Sequence, residues 1–399
     1  MILKLIINLF TGYITFSILD QILNSYNFYI IILCSYICIK FIEIKSKKIS
    51  FNSNNYKNKF SILVAAKNES KNITKAINYL KDIDYDKYEV IIINDNSTDN
   101  TLEILNTLKL PSNFKIINRT RKDGFVAGVL NDGLDNISND TDIVGIIDAD
   151  TIPVKSILNT INKYYDGNFK GCIQPQEWHY NYSESILTKV QHLLCIYENY
   201  NNLINNRFKI GHFIHRDMFN KYKYDEKSLL EDVILSEEIK KNEEDKIIQI
   251  HDVLVFRTFH NNIKSVYSQQ YRYQLGNLLY GYNNKIIQSD ILVSLVLFFN
   301  FTVYPNNFFR INLLIIFVIF NLVDNALEGY YNKSVKYALN NYEKEDNIKF
   351  TLTKYESNNL ETLFASFFGI FILVIRLLPF FKLPLGLEKI VWNRFKSNE

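Results

Sequence analysis

Cysteine is scarce in this sequence, and its spacing excludes the usual forms of cysteine chemistry. The 399 residues contain four, none of them in a C-x-x-C pair: Cys34, Cys38, Cys172 and Cys195. This pattern predicts neither a cysteine-based zinc site nor a disulfide framework, and it fits a reducing compartment for the soluble part. The histidines of HFIH, His212 and His215, have no third ligand nearby, so we interpret them as hydrogen-bonded polar residues.

Glycine, proline and net charge are also low. There are 13 glycines and 6 prolines, and we find no internal repeat and no low-complexity linker. A formal net charge of +3 is too small to indicate a nucleic-acid partner. Hydrophobic residues make up 47% of the chain although its mean hydropathy is near neutral, so the apolar residues are concentrated in blocks.

Apolar blocks lie at both ends of the chain. Residues 1–48 hold two blocks of roughly the length that a bilayer core requires of a helix. A signal peptide is the alternative for the first block, but no small-residue cleavage site follows it. Three lysines directly after the second block favour the cytoplasmic side: Lys45, Lys47 and Lys48. We therefore expect an integral membrane protein whose next domain is cytoplasmic.

Residues 286–399 contain three further apolar blocks and a basic tail. The second and third blocks are long enough to span a bilayer, whereas the first is either a span or an interfacial helix. The basic tail favours a cytoplasmic C-terminus, which two spans on each side of the central domain would satisfy. The number of C-terminal spans stays open.

Residues 55–285 contain no apolar block of membrane length, and their pattern is typical of an α/β domain. Apolar strand-like runs lie in KFSILVAAKNES, YEVIIIND, FKIINRT and DIVGIIDAD. Between the first two runs, helical spacing links Ile73, Ala76, Ile77 and Leu80, and Ser97 or Thr98 is the expected N-cap of the next helix. Fully apolar strands alternating with amphipathic helices predict a parallel, doubly wound sheet.

Acidic residues follow two of these runs. Asp95 ends the second, and Asp148 and Asp150 stand one residue apart at the end of the fourth. Two such carboxylates repel each other unless a cation or a proton stands between them, although an Asp-rich turn without a ligand is a common alternative. Because ligands bind parallel sheets beyond the carboxyl ends of the strands, we expect all three acids to face one crevice.

A series of polar segments follows in order between about residues 60 and 280: AAKNES, NDNSTDNT, GFVAGVLNDGL, DAD, IQPQEWHYN, LLEDVILSEEI and QQYRYQLG. Together they resemble the motifs of the family 2 glycosyltransferases, of the membrane-integrated type that includes cellulose, hyaluronan and glucomannan synthases. The resemblance implies a GT-A-type domain flanked by transmembrane helices. It also implies inverting hexosyl transfer from a nucleotide-sugar donor, with UDP-sugars favoured, to a growing β-linked glycan at a lipid bilayer.

The resemblance further implies a role for individual residues. Asp150 and Asp148 would hold Mg²⁺ or Mn²⁺, which stabilises the leaving diphosphate, and Asp148 would also position the donor. Asp232 would be the base that takes the acceptor proton, with Glu231 orienting it. The remaining predicted substrate contacts are Glu69, Asp95 at the nucleotide base, Gln269 and Arg272 at the diphosphate, and Tyr273 and Trp178 at the acceptor.

Several positions depart from the family pattern. Ala65, Lys67, Asn94, Val126 and Tyr273 replace a Pro, a Tyr, an acid, a Lys and a Trp, respectively. These departures keep two alternatives open: a glycosyltransferase with a lipid acceptor, such as a polyprenyl phosphate or a sphingolipid-type alcohol, and an inactive membrane scaffold of the same fold. Every carboxylate expected to do chemistry is present, which favours an active enzyme. A buried structural role is the alternative for the tryptophan of QEWHYN.

Overall fold

The computed structural model describes residues 56–165, 169–181, 184–189, 191–192, 195, 206–243 and 246–280. The apolar blocks within 1–48 and 286–399 lie outside these ranges, so the expected membrane spans stay predictions. Of the helices in the described ranges, none is both long enough and apolar enough to cross a bilayer.

The described strands form one eight-stranded sheet in the order β3-β2-β1-β4-β7-β6-β8-β5. Their bounds are β1 Phe60–Ala66, β2 Tyr88–Asn94, β3 Phe114–Asn118, β4 Ile143–Ile146, β5 Ile152–Pro153, β6 Cys172–His179, β7 Phe213–His215 and β8 Ile247–Arg257.

The sheet is mixed rather than wholly parallel. Strands β1 to β4 are parallel, as the sequence pattern predicts. Strand β7 runs antiparallel to both of its neighbours, β4 and β6, and β5 runs antiparallel to β8 at the edge. The prediction of a parallel sheet is therefore wrong for the half of the sheet that contains β5 to β8. Strands of two or three residues are too short to show a sequence period, which explains why β5 and β7 were missed.

Six α-helices have assigned bounds in the described part: α1 Ile73–Lys81, α2 Thr101–Thr107, α3 Phe125–Leu134, α4 Ile157–Asn162, α5 Glu231–Glu243 and α6 Ile263–Tyr280. The buried residues of α1 are the four whose spacing predicts the helix. The N-cap expected before α2 is wrong, because the helix begins at Thr101. Ser97 instead accepts a hydrogen bond from the Asn68 backbone N–H at 3.0 Å, which ties the loops after β1 and β2 together.

Apolar clusters cover both faces of the sheet. Neighbouring residues on a strand point to opposite faces, and Ile62 of β1 packs in one cluster while Leu63 packs in the other. The first cluster includes residues of α1 and α4, and the second includes residues of α3. Burial on both sides explains why the central strands are continuously apolar, and the expected α/β class is confirmed.

Candidate active site

Strand direction brings five charged side chains to one edge of the sheet. Asp95 and Asp148 follow β2 and β4, Glu177 lies near the end of β6, and Arg257 ends β8. Because β7 runs the opposite way, Lys209, which precedes it, lies at the same edge. The crevice predicted from the acids alone therefore contains charges of both signs.

The two acids of DAD are half-exposed and share a cation. The Asp148 and Asp150 side chains are 41% and 38% exposed. Nη2 of Arg257 lies 3.3 Å from Asp150 Oδ2 and 3.8 Å from Asp148 Oδ2, so its charge reduces the repulsion between them. Exposed, adjacent carboxylates supply the hard oxygen ligands that Mg²⁺ and Mn²⁺ prefer, and the donor set fits such an ion.

Glu177 is a buried carboxylate held between two cations. Its Oε1 lies 2.8 Å from Lys209 Nζ, and its Oε2 lies 3.9 Å from Nη1 of Arg257. Burial by itself raises the pKa of Glu177, but the nearby charges, led by Lys209, outweigh it and lower that pKa to about 2. The side chain is therefore ionised at neutral pH.

Glu177 also belongs to a second group of metal-ligating side chains, with His179 and Cys195. Their donor atoms lie within 4.8 Å of one another. Burial lowers the pKa of His179 to about 3, so this ring is neutral at pH 7. Two cations already accompany Glu177, and their charge opposes a divalent ion at short range. The DAD carboxylates are the better-suited metal ligands.

The acids of LLED lie in the first turn of α5. Oδ1 of Asp232 accepts a hydrogen bond from the Val233 backbone N–H at 2.7 Å. Burial raises the pKa of both Glu231 and Asp232, and the charges of Asp232 and Asp148 raise that of Glu231 further. Because the charge of Asp148 acts on Glu231, the DAD and LLED acids lie near enough to interact electrostatically.

Helix α6 brings QQYRYQLG to these acids. The charge of Arg272 favours the ionised forms of both Glu231 and Asp232, and its guanidinium carbon lies 5.4 Å from the centre of the Tyr273 ring. Gln269 lies half-buried three residues before Arg272 on the same helix. The close approach of α6 to the start of α5 depends on Gly276. A Cβ at this position would lie 2.7 Å from Cγ of the leucine that precedes Glu231.

Asp95 lies at the tip of β2 with a cation on each oxygen. Oδ1 is 2.9 Å from Nη1 of the buried Arg119, and Oδ2 is 2.8 Å from Lys67 Nζ. The lysine that replaces the family's Tyr is thus a counter-ion of Asp95. Both neighbouring loops turn through left-handed residues, with φ of 58° at Asn68 and 50° at Asn96, a conformation that Asn adopts more readily than most residues.

Two predicted substrate contacts are buried. Oε2 of Glu69 accepts a hydrogen bond from Nδ2 of Asn72 at 3.0 Å, and its backbone carbonyl accepts from the first residue of α1. The Trp178 ring is 5% exposed and lies edge-on to His192, with ring centres 4.4 Å apart. Little of either side chain reaches the surface, and their contacts with substrate stay predictions.

The sequence reasoning missed Arg257, Lys209 and Glu177. A signal existed for Glu177, since a charge within the QEW strand segment has to be paired if that strand is buried. The interpretation of HFIH is confirmed for His212, whose Nδ1 donates to the Lys209 carbonyl at 2.7 Å and whose Nε2 accepts from Tyr224 at 2.8 Å.

Comparison with known proteins finds similarity over part of the chain. The family model described as Glycosyl transferase family 2 matches residues 61–227. A beta-monoglucosyldiacylglycerol synthase of Synechocystis sp. is 37% identical over 117 residues, which are 28% of this chain and 24% of that protein. A poly-beta-1,6-N-acetyl-D-glucosamine synthase of Staphylococcus epidermidis is 36% identical over 92 residues, 23% of this chain and 22% of that protein. The chain thus spans about a quarter of the length of these curated relatives.

Among solved structures, the mannosyltransferase PcManGT from Pyrobaculum calidifontis, in complex with GDP-Man and Mn²⁺, is 13% identical with a TM-score of 0.49, over 91% of this chain and 97% of that one. The family match includes the strands that Asp95 and DAD follow, and it agrees with the α/β, GT-A-type domain expected from the motifs. Residues 61–227 are therefore similar to Glycosyl transferase family 2.

Proposed function

We propose that this chain is a metal-dependent, inverting glycosyltransferase that moves a sugar from a nucleoside diphosphate sugar to an acceptor hydroxyl. The observation that carries the proposal is the pair of half-exposed carboxylates of Asp148 and Asp150 beyond the carboxyl end of β4, with Asp148 near enough to Glu231 for its charge to raise the pKa of that acid. The family match over residues 61–227 supports the same reaction class.

In this reaction the acceptor oxygen bonds to the anomeric carbon of the donor while the bond from that carbon to the diphosphate breaks. Asp232 takes the acceptor proton, and Glu231 orients it. Arg272, which is permanently charged, contacts the departing diphosphate together with Gln269. A base on one side of the donor and the leaving group on the other allow in-line attack, which inverts an α-linked donor to a β-linked product.

Asp148 and Asp150 are the residues that would hold Mg²⁺ or Mn²⁺. Such an ion neutralises charge that develops on the leaving diphosphate. Their exposure supports this assignment, because a carboxylate has to reach both the ion and the donor. We favour UDP-sugars as donors, as the resemblance of the motifs implies.

A growing β-linked glycan is the favoured acceptor, and a lipid alcohol or polyprenyl phosphate is the alternative. The two curated relatives named above support both, since one name refers to a glycolipid and the other to a polysaccharide. Tyr273 keeps an aromatic ring for an acceptor sugar to stack on, with a smaller face than Trp.

An inactive scaffold is the less favoured reading. Asn94, which replaces a family acid, is 1% exposed and donates from Nδ2 to Asn118 at 2.7 Å within the sheet. Val126 packs against one of the two apolar clusters. Neither replacement removes any of the carboxylates to which chemistry is assigned.

The test is release of nucleoside diphosphate by the purified full-length chain, with UDP-glucose, UDP-N-acetylglucosamine and GDP-mannose, each with Mn²⁺ or with chelator. We expect release with one donor, only in the presence of the ion, and at least about 100-fold slower from Asp232→Asn. Partition of the labelled product into organic solvent identifies a lipid acceptor, and retention as polymer identifies a glycan. Absence of release with every donor and a range of added acceptors would remove the enzyme proposal.

We further propose that the apolar blocks within 1–48 and 286–399 anchor the chain in a membrane with the domain on the cytoplasmic side. The lengths of these blocks and the three lysines after the second support this orientation. Protease treatment of intact and of opened cells tests it: the domain should be cleaved only after opening, and cleavage in intact cells would reverse the orientation.

A further inference from the structure

Arg257 lies among three carboxylates and is held by each of them loosely. Its guanidinium nitrogens are 3.3 Å from Asp150, 3.8 Å from Asp148 and 3.9 Å from Glu177. Tight charge-assisted hydrogen bonds are shorter, about 2.7–2.9 Å. The side chain is 23% exposed, so it reaches the crevice. Charge, rather than well-formed hydrogen bonds, keeps Arg257 in this place.

Two other arginines of the domain are held differently. Arg119 lies 2.9 Å from Asp95 and also bonds to Asp132, and its side chain is 2% exposed. Arg121 binds both oxygens of Glu226, at 2.7 and 2.8 Å. These short contacts hold Arg119 and Arg121 firmly. The longer contacts of Arg257 can be replaced by contacts with a ligand at a lower free-energy cost.

The charges next to Arg257 favour such an exchange. Its three neighbouring carboxylates, Asp148, Asp150 and Glu177, exceed Arg257 and Lys209 by one negative charge. A divalent ion without a diphosphate would make the sum of these charges positive, and the charge of Arg257 would repel the ion. The two negative charges of a bound diphosphate would restore the balance. Ion and diphosphate therefore fit together, and Arg257 opposes the ion alone.

We propose that Arg257 pairs with Asp148 and Asp150 when no divalent ion is bound, and contacts the diphosphate of the sugar nucleotide when an ion binds those carboxylates. The inference rests on the proposed function. It makes Arg257 a catalytic residue, because its permanent charge stabilises the diphosphate as the bond to the sugar breaks. It also gives Arg257 opposite effects on the two ligands.

Arg257→Gln in the purified full-length chain tests this opposition. Mn²⁺ binding without nucleotide, measured by electron paramagnetic resonance of the unbound ion, should tighten at least about threefold because a competing cation is gone. Binding of UDP or GDP in saturating Mn²⁺, measured by calorimetry, should weaken at least about tenfold because a charged phosphate contact is lost. A residue that merely holds the acids in place would weaken both.

Two further variants complete the design. Arg257→Lys keeps the charge but not the forked donor, so Mn²⁺ affinity should stay within about twofold of wild type while nucleotide binding weakens. Arg216→Gln removes an arginine beside Asp142, at the opposite end of β4, and should leave both affinities unchanged. Thermal melts followed by circular dichroism establish that each variant is folded.

The outcomes separate this inference from the function on which it rests. A wild-type chain that binds neither Mn²⁺ nor any nucleoside diphosphate overturns both. A wild-type chain that binds both, with Mn²⁺ binding unchanged or weaker in folded Arg257→Gln, overturns the inference alone. Were Arg257→Gln unfolded, Arg257→Lys decides: weakened Mn²⁺ binding overturns the inference, and weakened nucleotide binding with Mn²⁺ binding retained supports it.

Discussion

The Lys209 ammonium lies 2.8 Å from Oε1 of Glu177, and this buried pair joins the loop before β7 to the end of β6. The charge of Lys209 also favours the ionised form of Asp232. One ion pair thus connects the strand that carries QEW with the acid proposed as the base.

Glu177→Gln should destabilise the fold by about 3 kcal/mol at pH 7, since it leaves Lys209 without its buried counter-charge. The pKa of Glu177 is lowered to about 2. Its stabilisation is therefore complete above the unfolded-state pKa of about 4.3 and is lost as pH falls towards 2. Urea unfolding should show a constant difference between variant and wild type down to about pH 5 and a shrinking one below pH 4.

The matched control is Glu243→Gln, which breaks a pair with the exposed Lys221 and should cost less than Glu177→Gln, because solvent screens the pair. An equal cost for the two variants would show that burial does not strengthen the Glu177 pair.

Asp232→Asn should lower the turnover at least about 100-fold, because the acceptor proton loses its base. Affinity for UDP with Mn²⁺ should stay within about twofold of wild type, since the ion is assigned to DAD. Turnover and calorimetry measure the two effects. Glu238→Gln, an exposed position on the same helix, is the control. Near-normal turnover in Asp232→Asn would assign the base to another group.

Asp150→Asn should weaken Mn²⁺ binding at least about tenfold, because the amide supplies one neutral oxygen where the carboxylate supplies a charge. A Mn²⁺ titration without nucleotide is the measurement. Asp135→Asn, an exposed position at the end of α3, should leave the titration unchanged. An identical titration curve for both variants would place the ion elsewhere.

The rate of transfer should rise with pH through the pKa of the Glu231 and Asp232 pair. Burial raises both pKa values above those of ordinary carboxyls, so the base becomes deprotonated only at higher pH. In Glu231→Gln the mutual repulsion is gone, and the acidic limb of the pH profile should move to lower pH. A limb that moved to higher pH would contradict the interaction between the two acids.

Gly276→Ala should displace α6, because the new Cβ would lie 2.7 Å from Cγ of Leu230. Overpacking of this kind costs about 1–3 kcal/mol, and the kcat should fall as Arg272 moves away from Asp232. Leu230→Ala in the same chain removes the clash and should restore part of both stability and kcat. Strictly additive losses in the double variant would show that the two positions do not touch.

Sequence patterns predict the half of this fold that is built from continuously apolar strands and amphipathic helices, and not the longer strands β6 and β8. The first four strands and α1 follow from runs of Ile, Val and Leu and from the spacing of Ile73, Ala76, Ile77 and Leu80. The assignment of DAD and LLED to one site rests on motif order, although about eighty residues separate them.

What the sequence does not predict depends on contacts across the fold. Arg257 and Lys209 stand near the ends of ordinary strands, and only strand order shows that both flank Glu177. Lys67 departs from the family pattern in the sequence, and in the structure it is a counter-ion of Asp95. The partner of such a side chain depends on the whole fold, so the spacing of apolar residues along the sequence does not predict it.

Strand β7 is only three residues long, yet it separates β4 from β6. Neighbouring strands lie about 4.8 Å apart, so one inserted strand sets β4 and β6 about 10 Å from each other where they pair with β7. The width of the opening between the metal-ligand side and the QEW side is therefore determined by a segment that carries none of the proposed catalytic residues. Because β7 is antiparallel to both neighbours, β6 runs in the same direction as β4, so Asp148 and Glu177 both lie beyond the same end of β7.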